Sequence, residues 1–556
     1  MKGLPLEVIA NITSYLPERH GKDVLLVRPS IATISRVWQS AVERDIFFQL
    51  TIDNTELDTF ASVFSTRQAR RRSLLKHLSY TIILPAYTDQ ECGVYETDED
   101  RTANNKIVAK ALEALFNVLK SWEYDPNVGF SLMLSMHSPM DVLYRDRDKL
   151  EKDRDNQALG RRQDVFEKRY EYSFVRLADA DLNLLPPVSC ITELSFTHGA
   201  GHRQLHPASQ AALTLTKTRS LQKITCGYRE PGPYVSLSQQ IRQEFVRDLR
   251  KLQIGSSVRS FDLEIDAHFY LHHQSLPNLV FPHEHDCLSS ELHRLVNSAQ
   301  NLETVTYKGQ VDASFFWPFA PGQEPAAADT RLWPSVKHIS VHFNQRAPNG
   351  QWYVQARPPS PHPGGSSDEP HSDNSDSDSE SAISAIDTNA GTDPLPPDAA
   401  AYRYPAPGYG TTTEETQASL AYAQSLARIP DPADGTFDSE REDFRTWPNE
   451  ETLRPLLAAF VLGLEHMPAV LTAELTTEPA SGGEWFVCYY APGRKSGYAD
   501  DDVEEAEGAA VSVSSPRVFF HMGDWRPSWD VVKLFKEFGK RKHGEECLVC
   551  FVPWMY

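Results

Sequence analysis

Residues 336–343 read VKHISVHF and residues 258–265 read VRSFDLEI. In each, apolar side chains fall on every second position after the first three, which is the period of a strand with one face buried. The shared frame is apolar, two others, apolar, one other, apolar. It recurs as Leu75-Leu78-Tyr80, Ile191-Leu194-Phe196, Leu221-Ile224-Cys226, Val258-Phe261-Leu263, Leu302-Val305-Tyr307 and Val336-Ile339-Val341. Helical patterns precede several of these, most clearly over Pro207–Lys217, Phe245–Leu252 and Leu288–Ala299. Helix and strand therefore alternate, which predicts a mixed α/β body over 51–354.

A unit of one helix and one strand cannot close its own core and must stack on neighbours. This frame resembles the Leu-x-x-Leu-x-Leu signature of the leucine-rich repeat. The resemblance implies an irregular repeat-like solenoid; a plain α/β domain whose strands share the frame is the other reading. The steps from Ile191 to Leu221, Val258, Leu302 and Val336 are unequal and longer than regular repeats of that class.

Two stretches break the pattern. Asp141–Glu171 is crowded with both charges and predicts a solvated helix or surface loop. Residues 358–402 hold no Lys or Arg and include SSDEPHSDNSDSDSESA, so 355–445 is expected to be a disordered acidic Pro/Ser-rich linker. Within it, Ser366, Ser375 and Ser377 each have an acidic residue three positions on, the pattern of an acid-directed kinase site. An α/β segment over 446–556 should follow and pack on the body. Its helix would carry Leu456, Leu457, Phe460, Val461 and Leu464, and Trp485–Tyr490, Val518–His521 and CLVCFVPW would be strands. A last helix lined by Val531, Leu534, Phe535 and Phe538 is expected to stop at Gly539.

At the start of the chain, Pro5 suits a first helical turn, and Val8, Ile9, Ile12, Tyr15 and Leu16 make one apolar stripe ended by Pro17. Ile31, Ile34, Val37, Trp38, Ala41 and Val42 make a second, with Ser30 placed to cap it. Two helices this short leave apolar surface for something else to cover. LPLEVIANITSYL followed by IATISRVWQSAVE resembles the F-box, whose pattern is Leu-Pro, an acidic residue, an aliphatic helix, then a Val-Cys-Arg-x-Trp-like helix. Leu4, Pro5, Glu7, Ile9, Ile12 and Leu16 match the first part, and Ile34, Ser35, Arg36 and Trp38 the second. Ser35 stands where Cys is common, and PERHGKDVLLVRP between the helices is longer than usual.

The resemblance covers about residues 1–45 and implies an F-box-like helical domain over 1–50. It implies an SCF-type cullin–RING ubiquitin ligase in which these residues bind a Skp-type adaptor and the α/β body binds a protein substrate. A non-catalytic interaction scaffold with a vestigial F-box is the alternative. Taken in order, VERDIFFQLTI, RRRSLLKHLSYTIILPAY and WFVCYYAP make the chain similar to fungal F-box proteins of uncharacterised function.

The rest of the chemistry is sparse. A net charge of -21 argues against nucleic-acid binding, and Arg70-Arg71-Arg72 is too short a run to change that. Seven cysteines without a framework fit a reducing, cytoplasmic or nuclear setting. No window approaches about 18 consecutive apolar residues, so no membrane span is expected. No Gly-rich phosphate loop, His-Glu-x-x-His or Gly-x-Ser-x-Gly motif occurs, so no catalysis and no cofactor are expected. Cys547 and Cys550 have zinc-type spacing without a second pair, and strand alternation would turn their sulfurs to opposite faces. His268, His272, His273, His283, His285, Cys287 and His293 crowd one segment without a fixed ligand spacing, so an ordinary histidine-bearing loop is expected there rather than a metal site.

Overall fold

The computed structural model describes residues 33–65, 69–88, 91, 96–122, 129–141, 170, 173–198, 202–230, 235–266, 278–280, 283, 285–319, 332–357, 445–478, 484–496, 504–505 and 513–552. In chain order these form α1 (Arg36–Ile46), β1 (Gln49–Asp53), α2 (Leu57–Val63), α3 (Ala69–Leu74), β2 (His77–Ile83), α4 (Asp98–Lys120) and β3 (Phe130–His137). There follow β4 (Phe174–Val175), α5 (Asp179–Leu184), β5 (Ile191–Phe196), β6 (Gln204–Leu205), α6 (Pro207–Lys217), β7 (Lys223–Arg229), α7 (Val235–Leu249), β8 (Ser260–Asp266), α8 (Cys287–Asn297), β9 (Thr304–Gly309) and β10 (His338–Phe343). The chain closes with β11 (Val354–Gln355), β12 (Trp447–Pro448), α9 (Glu450–His466), β13 (Thr472–Thr477), β14 (Trp485–Tyr490), β15 (Glu504–Glu505), β16 (Arg517–His521), α10 (Trp529–His543) and β17 (Leu548–Phe551).

Thirteen of these strands make one mixed, mostly parallel sheet in the order β1-β2-β3-β5-β7-β8-β9-β10-β13-β14-β16-β17-β15. From β1 to β13 every pairing is parallel and the order advances without reversing. Parallel crossovers are right-handed, so an order that never turns back sends every crossover to the same face. Burial agrees. Leu78, Tyr80 and Ile82 on β2, Phe261, Leu263 and Ile265 on β8, and Ile339, Val341 and Phe343 on β10 are buried, and the residues between them are half-buried or exposed. On the covered side α6 packs on α7, α7 on α8, and α9 on α10.

The recurring frame is the register of this sheet. Leu50, Leu78, Leu132, Leu194, Ile224, Phe261, Val305, Ile339, Ala473, Tyr489, Val518 and Val549 are successive cross-strand partners, one apolar row running through eleven neighbouring pairings. The first frame position lies just under each strand: Leu75, Leu221, Val258, Leu302 and Val336 are all buried. One core cluster runs from Leu57 on α2 to Phe551 on β17, and the segment after residue 445 continues the sheet begun before 357.

Some boundaries depart from the sequence expectations. Helix α7 begins ahead of Phe245 because Leu237 and Ile241, four residues apart, extend its buried stripe. Helix α10 does not stop at Gly539. It runs to His543 and is closed by Gly544 in the left-handed region at φ 79°. Gly539 is instead where the backbone of Cys547 comes so near that a Cβ would collide with its amide nitrogen. Helix α1 is capped by Ser35 rather than Ser30: Ser35 is extended, and its hydroxyl accepts from the amide of Trp38 at 3.4 Å. Most of Asp141–Glu171 and of 355–445 lies outside the described residues.

Candidate functional site

Of the residues matched to the F-box pattern, Leu4, Pro5, Glu7, Ile9, Ile12 and Leu16 lie outside the described residues, as do Ser366, Ser375 and Ser377. Ile34, Ser35, Arg36 and Trp38 are described. They open α1, whose inner side buries Ala41 and Val42. Arg71 on α3 holds the helix against the sheet end through Glu43 at 2.8 Å. The outer side stays bare: Ile34 is 62% exposed, Val37 45%, and Phe48 just beyond the helix 48%. Trp38 is half-buried. Sequence periodicity could place these side chains on one helix but not say which of them the body would leave uncovered.

The densest charge sits where sequence gave no warning, beyond the C-terminal ends of the parallel strands. Arg203 is buried and donates to both carboxylate oxygens of Asp141 at 2.8 and 2.9 Å, and to Glu96. Tyr87 donates to Asp141 at 2.9 Å and Asn104 to Glu96 at 3.0 Å, and the Tyr170 ring lies 4.5 Å from the guanidinium. Burial alone would depress the Arg203 pKa, but Asp141 and Glu96 outweigh it and hold it above the ordinary value. Arg242 on α7 repeats the device, donating to both oxygens of Asp286 at 3.0 and 2.9 Å and to Glu230 at 3.1 Å. Asp286 in turn caps α8 by accepting from Leu288 and Ser289. In each cluster one guanidinium is shared by two buried carboxylates and hydrogen-bonded to both, so both clusters pin strand-to-helix connections.

A groove of about 800 Å³ between α4, α5, α6 and α7 contains His206. Its Nδ1 accepts from the Ala208 amide at 3.3 Å, which leaves the proton on Nε2, 3.3 Å from Glu244. Burial holds the His206 pKa below its ordinary value, even against Glu244. Glu244 also meets Arg176 at 2.5 Å; burial raises its carboxyl, but His206, Gln240 and Arg176 together bring it down to about 2. Nδ1 is therefore engaged in bracing the groove, while Nε2 stands near Glu244 without a hydrogen bond among the described residues.

His293 faces the core and donates from Nδ1 to the Phe315 carbonyl at 2.9 Å, away from the exposed His283 and His285. His268, His272 and His273 lie outside the described residues. Among the described residues no group of three or more His, Cys, Asp or Glu is placed to hold a metal ion. Cys547 joins the main core and Cys550 a second apolar cluster, so the two sulfurs do face opposite sides.

The remaining surface of note is the uncovered side of the sheet. From β2 to β10 it is lined with Ser, Thr, His and charged residues, including His77, Ser79, Ser131, Glu193, Lys223, Asp262, Glu264, Lys308, His338 and His342. Beyond β13 it turns apolar, with Phe486, Cys488, Phe519, Cys550 and Val552 buried in the second cluster. No family model matches the chain, and no curated protein matches it. No helix among the described residues is long and apolar enough to cross a membrane.

Proposed function

We propose that this chain is a non-catalytic receptor, the substrate-binding subunit of an SCF-type cullin–RING ubiquitin ligase. Its N-terminal F-box-like segment would bind a Skp-type adaptor, and its body, read as an irregular leucine-rich-repeat-like solenoid, would hold a target protein. The observation that carries the reading is the bare outer side of α1, where Ile34 and Val37 stand exposed together at one end of the sheet. Such a flank costs free energy in water and is relieved when a partner covers it.

The body supports a receptor more than an enzyme. In open α/β sheets ligands enter where the strand order reverses. Here the parallel order from β1 to β13 runs one way, and the described buried charge clusters are occupied in holding loops. One-sided helix packing leaves a long face free for a protein.

The test is capture of a Skp-type adaptor by the full chain. Leu4→Ala with Pro5→Ala, and separately Val37→Asp, should abolish capture and leave the thermal midpoint within a few degrees. Undiminished capture by both variants would refute the reading. The long PERHGKDVLLVRP spacer favours a second reading, an interaction scaffold with a vestigial F-box, in which wild-type chain captures neither adaptor nor cullin.

A further inference from the structure

Cross-strand register sorts the uncovered face into three parallel rows. In the lower row, Lys223-Ser260-Thr304-His338-Thr472, the basic side chains are paired: Lys223 meets Glu193 at 2.8 Å and His338 meets Thr472 at 2.8 Å. So are those of the upper row, Gly227-Glu264-Lys308-His342-Thr476, where Glu264 meets Lys308 at 2.8 Å and His198 at 3.1 Å, and His342 meets Thr476 at 3.0 Å.

The row between them is Thr225-Asp262-Thr306-Ser340-Glu474. Among the described residues Asp262 has neither a hydrogen bond nor an ion pair, and Thr225 Oγ1 is buried without a partner. Glu474 accepts from the weak donor Cys488 Sγ at 3.4 Å and, among the described residues, meets no cation. Asp262 is half-buried, and that burial pushes its carboxyl above the ordinary range against the pull of Lys223. A carboxylate partly stripped of water beside an unused hydroxyl is an unfavourable arrangement for the free protein. Its neighbours on both sides have their counterions.

We infer that this middle row is a docking line for a protein segment bearing two cationic side chains, one at Asp262 and one at Glu474. The carboxylates are three strands apart, about 14 Å at the usual strand spacing, with Thr306 and Ser340 between them to hydrogen-bond a crossing backbone. An extended segment with Arg or Lys at i and i+4 spans about 13 Å and fits that line. Phosphate-bearing partners are repelled by the same carboxylates, which leaves a basic protein segment as the occupant. The inference deepens the receptor reading by giving the target a chemistry, and rests on it only for what the partner is.

The probes are a synthetic glycine-rich peptide with two arginines four positions apart, its citrulline counterpart, and a version with two glutamates. Binding to the full chain is followed by calorimetry at low and high salt. The arginine peptide should bind at least about tenfold more tightly than the citrulline one, and Asp262→Asn and Glu474→Gln should each weaken it about tenfold. Asp262→Lys with Glu474→Lys should reverse the preference toward the glutamate peptide, a gain that an unfolded variant could not give. Glu465→Gln, on the helix side, should change nothing. Equal binding of the arginine and citrulline peptides, or unaltered binding by the row variants, overturns the inference. So does a dimer of this chain that the same substitutions dissolve, which would assign the row to a second copy. Failed peptide binding alongside intact adaptor capture refutes the docking line alone; peptide binding without adaptor capture refutes the ligase reading alone.

Discussion

Arg203 shows how much a single side chain holds in this protein. With the guanidinium gone, Glu96 and Asp141 remain buried with no counterion, which costs about 3–5 kcal/mol. Arg203→Ala should therefore lower the urea midpoint sharply, and Glu96→Gln with Asp141→Asn added to it should recover much of the loss. A small effect from Arg203→Ala would mean that water reaches the cluster. His293 makes a pH-dependent contribution. Burial lowers its pKa to about 4, below the unfolded value of 6.5. It is therefore neutral in the fold, and protonation favours the unfolded chain. Its contribution is intact above pH 6.5 and is lost as pH falls from 6.5 toward 4, to a total of about 3 kcal/mol. Denaturation at pH 7 and pH 4.5 should show wild type losing more stability than His293→Phe; equal losses would contradict the assignment. Neither residue's role was legible beforehand. Arg203 meets Glu96 across 107 positions of chain, and His293 looked like one more member of a histidine-rich stretch.

At the scale of elements, each parallel strand carries two unlike faces whose alternation was readable. Leu263 on β8 belongs to the covered face and Ser260 to the open one. Leu263→Ala should cost about 2–5 kcal/mol, through lost transfer energy and the cavity left behind. Ser260→Ala should stay within about 0.5 kcal/mol, and a comparable loss from both would disprove one-sided burial. The frame found six strands and passed over three that share it: Phe47-Leu50-Ile52 on β1, Gly129-Leu132-Leu134 on β3 and Val470-Ala473-Leu475 on β13. Gly129 and Ala473 are small enough to hide the pattern, although Leu132, Leu134, Val470, Ala473 and Leu475 are as buried as their counterparts. Pairing order left no trace in periodicity, because alternation names a strand's faces and says nothing of its neighbours.

For the molecule as a whole, the acidic composition of 358–402 marked where the sequence departs from the body, and the return near 446 was legible, but not which strand the chain would return beside. It re-enters beside the point it left. Gln355 pairs with Trp447 and Val354 with Pro448, and β10 pairs directly with β13. Closing a long loop costs entropy that grows slowly with length. Replacing residues 358–444 by a short Gly/Ser linker should therefore keep the fold and raise stability, by no more than about 2 kcal/mol. A linker variant that unfolds cooperatively at a lower temperature would show that those residues support the sheet.

That seam between β10 and β13 has a consequence for a severed chain. The strands on its two sides share register, helix cover and one core cluster, so the joint is interior sheet rather than a surface between separate bodies. A protease cut between Arg357 and Arg445 would break a covalent link without opening that joint. The two pieces would migrate apart in detergent yet sediment together in buffer, and two polypeptides produced separately from either side of the cut could reassemble into one working molecule.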